Sequence, residues 1–166
     1  TFDLAHFERF AELAVEALAA HREEIDDLNV YPVPDGDTGT NMYLTVEAAR
    51  DSMRTALAEA PGDLRVALHS YARGALLGAR GNSGVILSQL IGALFRRIGQ
   101  STPEDRAALV FAEGMQLASD AAFAAVGTPV EGTILSVARA SAAAALGAAK
   151  DPANHLAEVV GAATDA

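Results

Sequence analysis

An all-α domain is predicted by three features of the chain. Apolar residues recur at helical steps of three and four, no stretch shows a convincing period of two, and 37 of the 166 residues are alanine. The length suits one domain with a real core. Leu4, Phe7, Ala11, Ala14, Leu18, Ile25 and Leu28 form an inward stripe interrupted only at His21, with charged residues between them, and Asp3 is placed to cap this first helix. The helix must end before Pro32 and Pro34, which remove donors and push their predecessors into extended backbone. After the turn-forming run 35–40, a second helix spans about 41–59 and stops at Pro61 and Gly62. A third spans about 63–77 and breaks at the glycine-rich segment 78–84, from which a fourth begins near Asn82 and Ser83 and continues to about Ile98. Ser101, Thr102, Pro103 and Glu104 read as the start of a fifth helix reaching about Ala125. A sixth follows the loop 127–133 and runs to Ala149, and a seventh begins near Asp151 and Pro152. Short connections make neighbours antiparallel, so the loops after the first, third and fifth helices share one end.

Composition excludes several classes. The chain carries 12 Lys+Arg against 22 Asp+Glu, a net charge of −10, which opposes binding to a nucleic-acid backbone. There is no cysteine, hence no disulfide, thiolate zinc site or cysteine nucleophile. No apolar run approaches the roughly 18 residues of a membrane span. Aromatics are 5% and Trp is absent, so close contacts between small side chains are expected to build the interior. With no signal-like start, and Thr at position 1, the expectation is a trimmed or processed, acidic, cytoplasmic domain.

Three loops carry the candidate chemistry. In the first, Gly36 separates Asp35 from Asp37, so both carboxylates can turn toward one point. With Asn29 and Thr40 nearby, these hard oxygens suit Mg²⁺, although a plain Asp-Gly turn with surface acids has the same composition. Thr38, Gly39, Thr40 and Asn41 then open a helix, whose first N–H groups attract anions. The second loop has glycines at 78, 81 and 84 and leads into Asn82 and Ser83. It suits a phosphate cradle, or equally an ordinary helix–helix turn capped by Ser83. It lacks the Gly-Lys-[Ser/Thr] ending of a Walker A loop. The third, Glu131-Gly132-Thr133, puts a hydroxyl at a helix start, which N-capping alone would explain. His21 reads as a hydrogen-bonded core or rim histidine, and Met42, Met53 and Met115 as core fillers.

The segments LNVYPVPDGDTGTNM at 28–42, GARGNSGVILSQ at 78–89 and PVEGTIL at 129–135 resemble, in order, the nucleotide-binding subunit of dihydroxyacetone kinases. They are more similar still to the N-terminal kinase domain of bacterial fatty acid kinases in that superfamily. The resemblance implies an antiparallel up-and-down helical barrel of about eight helices, about seven of them present here, binding ATP with Mg²⁺ at one end. It implies Asp35 and Asp37 as metal ligands, with Asn29 at a family position that is often Asp, and Asp26 as an acid behind them. Thr38, Gly39, Thr40, Asn41, Asn82, Ser83 and Thr133 fall on nucleotide-contacting positions.

The family continues past the seventh helix into an eighth, with an Asp-x-Gly-Gly loop that closes over the nucleotide, and this chain stops at Asp165-Ala166. The expectation is therefore that residues 1–166 are an ATP-binding kinase domain that is C-terminally incomplete and, alone, weakly active or inactive. The implied reaction is phosphoryl transfer from ATP to a fatty acid held by a separate fatty-acid-binding protein. No catalytic side chain is assigned, because a carboxylate acceptor has no proton to lose. The alternatives are a dihydroxyacetone (glycerone) kinase L-type subunit and, from another class, a non-catalytic helical nucleotide-binding or interaction module. A homodimer is expected, if at all, through C-terminal regions outside this chain.

Overall fold

A computed structural model describes residues 2–166. Among them are seven α-helices and no strand: α1 (Leu4–Leu28), α2 (Thr38–Glu59), α3 (Leu64–Leu77), α4 (Gly81–Gly99), α5 (Ala107–Ala125), α6 (Ile134–Ala149) and α7 (Leu156–Thr164). The all-α expectation holds. Each helix packs on the next, and α2 also meets α4, α1 meets α3 and α5 meets α7. Among the described residues no helix is long and apolar enough to cross a membrane.

Two apolar clusters hold the helices together. The larger spans α1 to α4 and takes in Val110 of α5, and its centre is aromatic. Phe7 lies edge-on to Phe95 at 4.9 Å and to Tyr71 at 5.5 Å, and Tyr71 meets Phe95 at 5.5 Å. Such pairs favour edge-to-face geometry because the rim of one ring is positive and the face of the other negative. Composition undervalued these few rings: three of nine aromatics form the anchor of the larger cluster. The second cluster is the close-packed alanine interior expected from the sequence, built from Ala108 and Ala112 of α5, Ala145 and Ala149 of α6, and Val159 and Ala163 of α7. Met53 is buried and Met42 and Met115 are half-buried, as core fillers should be.

The boundaries differ from expectation where local side chains change the capping. Asp3 does cap α1, accepting the His6 amide at 2.9 Å. The signal at 101–104 does not start α5. Asp105 accepts the amide and hydroxyl of Thr102, which closes a separate turn, and the helix begins two residues later. Likewise Asp151 accepts the Ala153 amide in a turn, and α7 starts after His155, whose backbone N–H donates to Glu158 at 3.0 Å. At the far end of α1 the inward stripe fades. His21 is exposed and hydrogen-bonded to Glu24, not in the core or at its rim, and Leu28 is 72% exposed.

Candidate functional site

The α1–α2 connection is braced from α1. The Asn29 side-chain oxygen accepts the Asp37 amide (3.2 Å), the Thr38 amide (3.2 Å) and the Thr38 hydroxyl (2.9 Å), while its Nδ2 donates to the Val33 carbonyl (3.0 Å). Asp26 accepts the Thr40 amide at 3.0 Å and the Thr40 hydroxyl at 2.7 Å. Two side chains from the end of α1 thus satisfy the first-turn donors of α2, which explains why α2 starts at Thr38 and not near Asn41. Partial burial pushes Asp26 upward. The Thr40 hydroxyl, the Thr40 and Gly39 amides and the Arg22 charge outweigh that, and its carboxyl titrates below the ordinary value.

A depressed acid contributes stability above its unfolded pKa and loses it as pH falls through the folded one. The Asp26 anchor should therefore hold at neutral pH and fail below the ordinary carboxylate range of about 4. Asp26→Ala should cost about 1 kcal/mol at pH 7, as loss of a cap does. Chemical denaturation at pH 7 and at low pH checks both points, since the gap between parent and variant should shrink in acid.

Gly39 and Gly81 explain how closely the site's elements approach. A Cβ on Gly39 would sit 2.3 Å from the Arg22 carbonyl oxygen, so only glycine lets α2 lie this near α1. Gly81 has φ +58°, and a Cβ there would sit 2.3 Å from Asn41 Nδ2. Thus Gly39, Thr40 and Asn41, which the resemblance assigned to nucleotide contact, pack or brace helix junctions in this conformation: none of them lines the cleft described next.

A single cleft of about 450 Å³ gathers the rest. Asn29, Asp35, Asp37 and Thr38 line it from the first loop, Asn82 and Ser83 from the second, and Thr133 from the third. The three loops do share one end. Among the described residues the Asp35 and Asp37 side chains make no hydrogen bond or ion pair, and no side chain caps α4, which leaves the N–H groups of its first turn available. Thr133 caps α6, accepting from the Leu135 amide (3.3 Å) and donating to the Val130 carbonyl (2.8 Å). Next to it Glu131 accepts from Ser136 at 2.7 Å and from Arg139, and the Ser136 hydroxyl, followed by Arg139, holds its carboxyl below the ordinary range.

Sequence reasoning missed the apolar walls of the cleft: Tyr31, Val33, Val85 and Ile86, faced by Ile134 and Leu135. Their signal was the apolar residues interleaved with the prolines of the first loop and directly after Gly84, and Tyr31 remains 59% exposed. No histidine lines the cleft.

The donor set decides which cation the cleft suits. No three His, Asp or Glu side chains converge on one point among the described residues, so the protein offers two unengaged carboxylates, Asp35 and Asp37. That fits Mg²⁺, which keeps several waters and is commonly bound through one or two carboxylates plus substrate phosphates. Asn29 fits less well, because its oxygen already serves three donors and would have to release some of them to bind a metal.

This is an all-α domain with one cleft at the end where its three glycine-bearing loops meet. The DAK2 domain family matches residues 32–166, and the chain belongs to that family, within the dihydroxyacetone kinase superfamily. It is similar to an uncharacterized protein of Staphylococcus saprophyticus, 46% identical over 147 residues, which takes in 86% of this chain and 25% of the relative. An uncharacterized protein of Staphylococcus haemolyticus is 43% identical over 145 residues, 86% of this chain and 25% of its own length. One of Staphylococcus aureus is 44% identical over 140 residues, 82% of this chain and 25% of its own length. The chain thus spans about a quarter of the length of the curated relatives it matches.

Proposed function

We propose that this domain binds ATP with Mg²⁺ and supports transfer of the γ-phosphoryl group to a fatty acid presented by a separate fatty-acid-binding protein, giving an acyl-phosphate. The observation that carries the nucleotide reading is the single cleft lined by all three glycine-bearing motifs. In this reading Asp35 and Asp37 hold the metal, the first-turn amides of α4 with Asn82 and Ser83 hold phosphate oxygens, and Tyr31, Val33 and Ile86 shelter the base. Neutralising phosphate charge is what Mg²⁺ supplies when bound. The acceptor's carboxylate oxygen forms the new bond to phosphorus while the bond to the β-phosphate oxygen breaks and ADP leaves. The acceptor is already ionised at neutral pH, so no protein base is required.

The acceptor assignment rests on the Pro-Val-Pro-Asp-Gly-Asp-Thr-Gly form of the first motif, which resembles the fatty acid kinase branch. An acceptor delivered by another protein accounts for a site with nucleotide loops and no acyl pocket.

Isothermal titration of this chain with ATP, with and without Mg²⁺, should show weak binding that requires the metal. No heat in either case would make the domain an inert helical scaffold and overturn the nucleotide reading. Ser83→Ala should weaken binding by less than about tenfold, because the backbone amides share the phosphate contacts. For the acceptor, radiolabelled ATP is given to the full-length protein together with either a fatty-acid-loaded binding protein or a dihydroxyacetone-binding subunit. Label should move only with the fatty acid, and transfer only with the dihydroxyacetone subunit would overturn the assignment.

A further inference from the structure

We propose that the groove between α3 and α4 is a docking site for an acidic amphipathic helix of a partner protein. The groove encloses about 520 Å³ and shares no lining residue with the nucleotide cleft. Arg65, His69 and Arg73 follow one another at four-residue intervals along one edge of α3, and Arg96 faces them from α4. Leu76 of α3, 55% exposed, supplies free apolar surface beside these rows, while Leu68 and Phe95 beneath belong to the buried core.

Charge selects the partner. The chain has a net charge of −10, yet no acidic side chain lines this groove. Arg50, Arg54, Arg97 and Arg139 have a carboxylate within 4.0 Å. Among the described residues Arg65, Arg73 and Arg96, like the scattered Arg9, Arg22, Arg80 and Arg106, have none, and only the first three line one groove. Three guanidinium groups, each able to grip a carboxylate with two parallel N–H donors, therefore stand beside apolar surface without an internal partner.

Spacing selects the shape. Arg65 and Arg73 are separated by about 12 Å of helix axis, so they do not converge on a single phosphate or carboxylate. A second helix carrying Asp or Glu every fourth residue presents carboxylates at the same interval, and its apolar face would cover the exposed Leu76.

The probe is a fluorescent synthetic helix with glutamates at every fourth position and leucines on the adjacent face, titrated into the folded chain and followed by anisotropy. It should bind, weaken at high salt, and lose about tenfold or more in affinity against Arg65→Glu/Arg73→Glu/Arg96→Glu. Circular dichroism checks that variant's fold. Independently of any variant, amide NMR shifts in the parent should fall on 65–76 and 88–99 and leave 35–38 unmoved. The proposal is overturned if the charge-reversed protein binds equally well, or if the shifts lie elsewhere. It is also overturned if monomeric dodecyl phosphate saturates these amides while the helix does not.

Discussion

Asp35→Asn and Asp37→Asn should each abolish Mg²⁺-dependent ATP binding while leaving the helix content unchanged. Neither carboxylate supports the fold, since neither side chain makes a hydrogen bond or ion pair among the described residues, and Asp37 sits at the start of α2 without capping it. Asn29 and Asp26 do that work. A carboxamide keeps the shape and removes the charge that binds a hard divalent ion. With only two carboxylates available, loss of one should cost more than the 10–100-fold typical of losing a group behind the ligands. Titration calorimetry with MgATP measures the loss and circular dichroism the fold. In the absence of metal the variants should melt no lower than the parent, because a like-charge neighbour has been removed. A variant that bound MgATP like the parent would remove Asp35 or Asp37 from the metal site.

Gly39→Ala should lower stability by about 3 kcal/mol, the upper end of what overpacking costs. The added methyl meets the Arg22 carbonyl at 2.3 Å and the Ile25 Cβ at 3.0 Å, and the nearest obstacle is helix backbone that no rotamer change can move aside. The first turn of α2 would have to lift from α1, breaking the Thr40–Asp26 bonds and displacing Asp37 and Thr38 from the cleft. Stability and nucleotide binding should fall together, unlike in Asp37→Asn. Gly147→Ala is the control. That glycine lies within α6 with nothing within 4 Å of its added Cβ, and the substitution should stabilise by about 0.5–1 kcal/mol through helix propensity. Denaturant titration of the two variants separates them in sign.

The helices were legible because their periodicity and their glycine and proline breaks agree, and both signals are local. Three things were not. The start of α2 depended on acceptors lent by Asp26 and Asn29, residues 14 and 9 positions before the donors they serve, and helix-start rules look only at adjacent residues. The Ser101–Glu104 signal is a sound N-terminal pattern, but Asp105 captured Thr102 first and spent it on a turn. The inward position of His21 followed from extending the α1 stripe, whereas the last turns of α1 meet α2 through Arg22, Ile25 and Asp26 and leave His21 off that face.

The candidate site was legible as three loops and not as a division of labour within them. Glycine content marks both a close helix contact, as at Gly39 and Gly81, and an uncrowded loop position, as at Gly127 and Gly132. Only packing distinguishes them. The same holds for Thr40 and Thr133, whose hydroxyls serve helix starts, and for Asn29, which braces a loop while lining the cleft. Tyr31 and Val33 were visible only as residues between prolines until the fold placed them opposite Ile134 and Leu135.

The most direct test of a nucleotide site assembled from three loops is a titration of the isotopically labelled chain with MgATP, read by amide NMR. Signals from 35–38, from 81–83 and from 132–135 should shift along one common saturation curve, and none should shift when ATP is added without Mg²⁺ at the same concentration. Shifts confined to a single loop, or a response indifferent to the metal, would contradict it.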